Sequence, residues 1–135
     1  MQLTVKKIVQ IFIAICIITL FGKAFYNTHQ IKKDIEKHKY VTIGKVYKFS
    51  SNRSFSHYYY IYYYKGKKFS NSDDIDGFDR EECIGKYYNV TISTVNPNNS
   101  ELYLYEQILD STKINEIENE FRKEKADKDR NNYFN

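Results

Sequence analysis

The sequence has no tryptophan, one proline, five glycines and two cysteines in 135 residues. Cys16 lies in an apolar run and Cys83 is the only thiol outside it, so no disulfide can form within a folded domain. The length allows one domain with appendages and excludes a barrel enzyme or a two-domain dinucleotide enzyme. The mean hydropathy of −0.66 excludes a bundle of membrane spans.

Aromatic residues are abundant instead, with 14 tyrosines and nine phenylalanines. Tyrosine brings a large ring that a hydropathy scale hardly credits, which allows a compact core despite the polar average. The aromatic and apolar content is also too high for a disordered chain.

One long apolar run is present near the start of the chain. Residues 8–21 read IVQIFIAICIITLF, without a charge, after Lys6 and Lys7. Extension to Tyr26 gives a helix of ~28 Å, close to the ~30 Å hydrocarbon core of a bilayer. We predict a transmembrane signal anchor from Ile8 to Tyr26, following a tail of residues 1–7, with the lipid bilayer as its partner.

Three other interpretations of this run compete with a signal anchor. A cleaved signal peptide fits the basic start and the small residues of the Gly22-Lys23-Ala24 stretch. A lipoprotein signal would use Cys16, but Ile15 precedes it where a small residue is expected. A buried soluble helix is disfavoured because the run is apolar on every face. Anchoring is preferred, and cleavage stays open.

The lysines around the run give opposing indications of orientation. Two precede it, and five follow closely, which favours a cytoplasmic C-terminal side. A very short amino-terminal tail with two lysines is, however, typical of a signal anchor whose tail stays inside. We predict an extracytoplasmic domain.

After the run the pattern changes from helical to alternating. Residues 27–39 are predicted to be a helical connector with one apolar pair, Ile31 and Ile35. Residues 40–109 are predicted to form an antiparallel β domain, because apolar and polar residues alternate in several short segments. Aromatic segments on either side of Lys65-Gly66 predict a β-hairpin, since Gly66 permits the positive φ of a tight turn.

The predicted fold class is therefore α+β. It consists of the N-terminal transmembrane helix, a small antiparallel β barrel or roll of four to five strands, and a C-terminal helix. That last helix falls in residues 110–135, where Ile114, Ile117 and Phe121 give an apolar stripe before a charged, frayed end.

Several segments of the β domain together resemble a family. In order they read YVTIGKVYKF, YKGKKF, CIGKYYNVTIS and NPNNSELYL, between Val41 and Leu104. They resemble small bacterial membrane proteins with a domain of unknown function, in which a Gly-Lys hairpin precedes an IGK…V…NPxNS segment. The resemblance implies a short β domain next to membrane helices in the cell envelope, which favours the bacterial inner membrane, and it implies no substrate.

The acidic loop of residues 71–82 holds six carboxylates and invites a metal or catalytic interpretation. If Gly77 is aligned with the glycine of a calcium loop, Asp74 and Asp76 fall on ligand positions. The first and last ligand positions, however, fall on Ser72 and Cys83, and a calcium loop requires a glutamate at the last one. Catalysis by paired carboxylates also requires one with a raised pKa and one that stays ionised, and carboxylates crowded in a solvated loop do not indicate such a pair. We predict no metal, no cofactor and no catalytic residue here.

A cysteine–histidine pair is the remaining candidate for catalysis. His57 is the only histidine in the β domain that could assist Cys83, and no local signature accompanies them. His29 and His38 are nine residues apart, not on one helix face, which disfavours a zinc site. We predict that the protein is not an enzyme.

The run His57–Tyr64 reads HYYYIYYY and has two aromatic faces. In a strand Tyr58, Tyr60, Tyr62 and Tyr64 point one way, and we name these four as the possible binding surface for an envelope protein or a glycan. The preferred alternative is that cross-strand packing against Tyr87, Tyr103 or the terminal helix consumes both faces.

Charge excludes nucleic acid as a partner. The formal net charge is +4, but Lys6, Lys7 and Lys23 flank the apolar run, and the rest of the chain is nearly neutral. No basic stripe persists there. The function predicted from the sequence is a non-enzymatic, envelope-side binding module, and the alternative is an immunity partner of an envelope-acting toxin.

Overall fold

The computed structural model describes residues 5–52, 55–75 and 81–133. Helix α1 (Val5–Lys37) is followed by strands β1 (Lys39–Ser51), β2 (Ser56–Tyr64) and β3 (Lys67–Asp74). A 3-10 turn (Glu81–Cys83) precedes β4 (Tyr87–Ser93) and β5 (Ser100–Gln107), and helix α2 (Ser111–Tyr133) ends the described chain. The α+β class predicted from the sequence is confirmed.

Helix α1 runs for 33 residues through both the apolar run and the polar connector. By length and composition it is able to cross a membrane, and its apolar part is not buried against the rest of the described chain. A signal sequence would share these properties. The polar end is not a free spacer, because Ile35 is only 5% exposed and packs on the sheet domain.

The five strands form one antiparallel sheet in the order β3-β2-β1-β4-β5. The hairpin predicted at Lys65-Gly66 is confirmed, since Tyr64 pairs with Lys67 and both turn residues have positive φ. Of the barrel or roll predicted from the sequence, the barrel alternative is wrong, because the edge strands β3 and β5 do not pair through their backbones and the sheet is open.

The open sheet is nevertheless strongly curled. In a flat sheet the edges of five strands would lie ~19 Å apart at ~4.8 Å per strand. Here the Asp73 carboxylate on β3 accepts a hydrogen bond from the Leu102 N–H on β5 at 2.6 Å, and Asn71 Nδ2 donates to Ser100 Oγ at 2.8 Å. Side chains, rather than a backbone ladder, therefore join the two edges.

The core fills the concave side of this curl. It holds tyrosines of β2 and β4, aliphatic residues of β1, β4 and β5, and the cysteine of the 3-10 turn: Val46, Tyr58, Tyr60, Tyr62, Cys83, Tyr88, Val90, Ile92, Leu102 and Leu104. Gly44 lets β1 pass close to this cluster, since a Cβ at that position would lie 2.6 Å from Val90 Cγ2.

Helix α2 packs on the convex side of the sheet. The Phe121 ring meets Tyr63 edge-on at 5.2 Å between centroids. Lys45 Nζ pairs with Glu118 at 2.7 Å, and the Tyr63 hydroxyl donates to Glu124 at 2.6 Å. An aromatic contact and several polar ones thus help to dock the helix, as its alternating apolar and acidic residues allow.

Candidate functional site

The structure corrects the proposed tyrosine surface. Tyr58, Tyr60 and Tyr62 are fully buried in the concave core, and Tyr64 is half-buried beside them. They line the inside of the curl because their side of β2 faces Val46, Val90 and Ile92. These rings therefore offer no exposed platform in this structure.

The opposite side of β2 is only partly covered. Tyr63 lies beneath α2, which fits the expectation that the terminal helix covers part of this run. Tyr59 lies beyond the helix and forms a tilted pair with Tyr47 at 6.4 Å, while Lys48 Nζ lies 5.0 Å from the centre of its ring. Tyr47 is 47% exposed. We call Tyr47, Lys48 and Tyr59 the aromatic–lysine surface.

A polar network inside the curl centres on Asp73. Its carboxylate accepts hydrogen bonds from the Leu102 N–H and from the Tyr60 hydroxyl, the latter at 3.1 Å. Burial raises the pKa of the Asp73 carboxyl, although the two donated hydrogen bonds act in the opposite direction. Burial also raises the pKa of Tyr60, and its hydroxyl lies 2.9 Å from Ser100 Oγ. Asp73 thus joins both sheet edges to a core tyrosine.

A groove of about 310 Å³ lies between the polar end of α1 and the two sheet edges. Its apolar lining comes from Ile31, Ile35, Ile75 and Leu102. Four charged residues line it as well: Lys32, Asp73, Asp74 and Glu101. We call it the membrane-proximal groove, because its α1 residues follow directly after the apolar run.

Only one sequence pattern pointed to this groove. The Ile31–Ile35 pair marked an apolar face on the connector, but nothing in the pattern showed that β3 and β5 would meet beneath it. The role of Asp73 was hidden in the same way, because in the sequence it is one of six carboxylates in a loop that was predicted to be solvated.

The acidic loop does not assemble a metal site within the described ranges, where no group of three histidine, cysteine or carboxylate residues could hold an ion. Asp76 and Gly77 lie outside the described residues. Asp74 forms an ion pair with His57 Nδ1.

Cys83 and His57 have separate partners. The thiol is buried and interacts with the Tyr88 hydroxyl, whereas the imidazole faces Asp74 near the exposed end of β2. This arrangement does not bring the thiol and imidazole together as a nucleophile and base.

Glu118 and Glu124 on helix α2 form electrostatic contacts with lysines of the sheet. The pKa of the Glu124 carboxyl is lowered to about 2 by hydrogen bonds from Lys128, Tyr63 and Lys68. These contacts hold the helix on the sheet and leave the aromatic–lysine surface beyond its edge.

The structure defines a protein with one long apolar helix continuing into an open, curled five-stranded sheet with a C-terminal helix. Comparison with protein-family models, with curated proteins and with solved structures finds no match for the chain. The family resemblance drawn from the sequence stays a prediction.

Proposed function

We propose that the protein is a single-pass membrane protein whose sheet domain acts as a non-enzymatic interaction module on the extracytoplasmic side of a bacterial inner membrane. Helix α1 supports the membrane part, because its apolar residues are exposed and find no protein partner in the described chain. Lys6 and Lys7, directly before the apolar run, support the orientation.

The observation that carries the interaction part is the aromatic–lysine surface. Exposed aromatic rings are enriched at protein interfaces and also stack on sugar rings. Tyr47 and Tyr59 stand beside each other on the uncovered part of the sheet, and Lys48 adds a cation to one ring. A rigid sheet holds all three in place, which lowers the entropy lost when a partner binds.

Cysteine labelling tests the anchoring and the orientation together. We expect Leu109→Cys, at a position that is 78% exposed, to react with a membrane-impermeant maleimide in cells whose inner membrane is intact. Val5→Cys, on the other side of the apolar run, should react only after lysis. The parent chain controls for Cys16 and Cys83, and carbonate extraction checks that the protein stays with the membrane. The reverse labelling pattern would contradict the orientation.

Binding experiments test the surface. We expect Tyr47→Ser with Tyr59→Ser to reduce capture of a partner by the intact, membrane-extracted protein at least tenfold, because two anchoring rings typically contribute over ~1.4 kcal/mol. Tyr105→Ser, a change at an exposed tyrosine outside this surface, should leave capture unchanged.

The captured material is identified by mass spectrometry, and binding to purified envelope glycans is measured in parallel. A captured envelope-acting toxin would favour the immunity alternative. If the double variant lowered only thermal stability and left every interaction intact, the surface would have no binding role.

A further inference from the structure

The membrane-proximal groove lies at a defined height above the predicted span. Its α1 residues run from Thr28 to Ile35, which are two and nine positions beyond Tyr26. At ~1.5 Å per residue the groove covers ~3 to ~13 Å above the end of the apolar run. A lipid headgroup layer is ~5–7 Å thick on each side of the hydrocarbon core, so the lower part of the groove lies among headgroups. This placement rests on the membrane anchoring proposed above.

The charges that line the groove have both signs. Lys32 forms no ion pair with any residue in the described part of the chain, and it stands on the helix side. Three carboxylates stand on the sheet side. Asp73 accepts hydrogen bonds from the Leu102 N–H and the Tyr60 hydroxyl, Asp74 is paired with His57, and Glu101 accepts a hydrogen bond from the Tyr103 hydroxyl at 3.0 Å. One cation on the helix side and a carboxylate, Glu101, on the sheet side match a ligand that carries an anionic and a cationic group a few ångströms apart.

The bilayer itself supplies such a ligand at very high local concentration, because a tethered site meets its ligand with an effective concentration set by the tether. A phospholipid with a primary amine presents a phosphate and an ammonium with three N–H donors. A quaternary ammonium has no N–H to donate to the carboxylates, and an anionic headgroup without an amine is repelled by them.

We propose that the membrane-proximal groove binds the headgroup of a phospholipid that carries a primary amine. Lys32 contacts the phosphate, while Glu101 receives the ammonium beside the Asp74–His57 pair. Ile31 and Ile75 cover the carbon atoms of the headgroup and glycerol. The bound lipid joins the helix to both edges of the curled sheet, and it holds the domain close to the membrane surface.

The intact protein is reconstituted into phosphatidylcholine nanodiscs containing a minor fraction of phosphatidylethanolamine or of phosphatidylglycerol. Retained lipid is then counted by native mass spectrometry. We expect phosphatidylethanolamine to be enriched about threefold to fivefold over the other two, the range that one or two partly exposed ion pairs supply.

Matched variants assign the effect to the groove. Glu101→Gln and Lys32→Gln should each remove most of the enrichment. Glu106→Gln on the same strand and Lys33→Gln on the same helix lie outside the groove and should keep it. Near-ultraviolet circular dichroism verifies that each variant is folded.

Equal retention of the three lipids, a preference for phosphatidylglycerol, or an unchanged preference in both groove variants would overturn the proposal. A chain that fails to stay with the nanodisc would overturn the membrane anchoring itself. Incorporation without the lipid preference would overturn only the groove site.

Discussion

Replacement of Tyr60 by alanine is expected to abolish cooperative unfolding of the sheet domain. The ring is fully buried, stacks on Tyr62 at 5.9 Å between centroids, and its hydroxyl contacts Asp73 and Ser100. Removal of a buried aromatic ring costs about 3–5 kcal/mol, which is as large as the whole stability of many small domains. Near-ultraviolet circular dichroism during urea unfolding, in detergent, reports on the tyrosines directly because the chain has no tryptophan.

Two milder changes keep this prediction measurable. Tyr60→Phe retains the ring and loses the hydroxyl, so the free energy of unfolding should fall by about 1–2 kcal/mol. Tyr105→Ala, at a position 78% exposed, should change it by less than about 0.5 kcal/mol. If Tyr60→Ala were as stable as Tyr105→Ala, the buried tyrosines would not form the core.

Substitution of Asp73 is expected to have the second large effect on the free energy of unfolding, and the sign of this effect depends on the substituent. Asp73→Ala leaves the Leu102 N–H without its acceptor and removes one partner of Tyr60. An unsatisfied buried donor costs about 1–3 kcal/mol, and we expect a total loss of about 3 kcal/mol in the free energy of unfolding. Asp74→Ala is the matched control, because its side chain is 53% exposed and its pair with His57 contributes less than about 1 kcal/mol.

Asp73→Asn separates the hydrogen bond from the charge. The asparagine oxygen can still accept from Leu102, while the buried charge is removed. The folded-state pKa of Asp73 is raised above its ordinary value of 3.8, so its contribution to stability is greatest below that value and is lost as the pH rises through the raised pKa.

The asparagine variant should therefore be at least as stable as the parent at neutral pH, and it should lose the part of the parent's pH dependence that lies above pH 3.8. Urea unfolding at several pH values measures this. A variant that retained the parent's pH dependence would show that another group causes it.

Local patterns were sufficient to predict most of the secondary structure. Alternating residues marked the strands, and Lys65-Gly66 marked the hairpin because a two-residue turn requires positive φ. The inward face of β2 was not predictable in this way, since rings occupy both of its faces. That face is selected by long-range pairing, which sets Tyr58 opposite Phe49 and Tyr60 opposite Val46.

Closure of the sheet also depends on distant residues. Four to five short strands are compatible with a barrel or with an open sheet, and the outcome depends on how the edges meet. Here the pairing of β4 with β5 shifts register after Tyr88, and β3 meets β5 through Asp73 and Asn71 side chains. The groove beside this junction is formed by residues far apart in sequence, so no local motif predicts it.

The unbroken helix α1 fixes the orientation of the sheet domain about the helix axis. No glycine or proline occurs between Lys23 and Lys37, and Asp34 accepts a 2.7 Å hydrogen bond from Asn99 on the sheet domain. The sheet domain and the apolar part of α1 therefore have a fixed rotation relative to each other. One residue inserted after Tyr26 would rotate every face of the sheet domain by about 100° around the helix axis. In the single-pass arrangement proposed above, the number of residues between the apolar run and the sheet thus sets the direction in which the aromatic–lysine surface faces along the membrane plane.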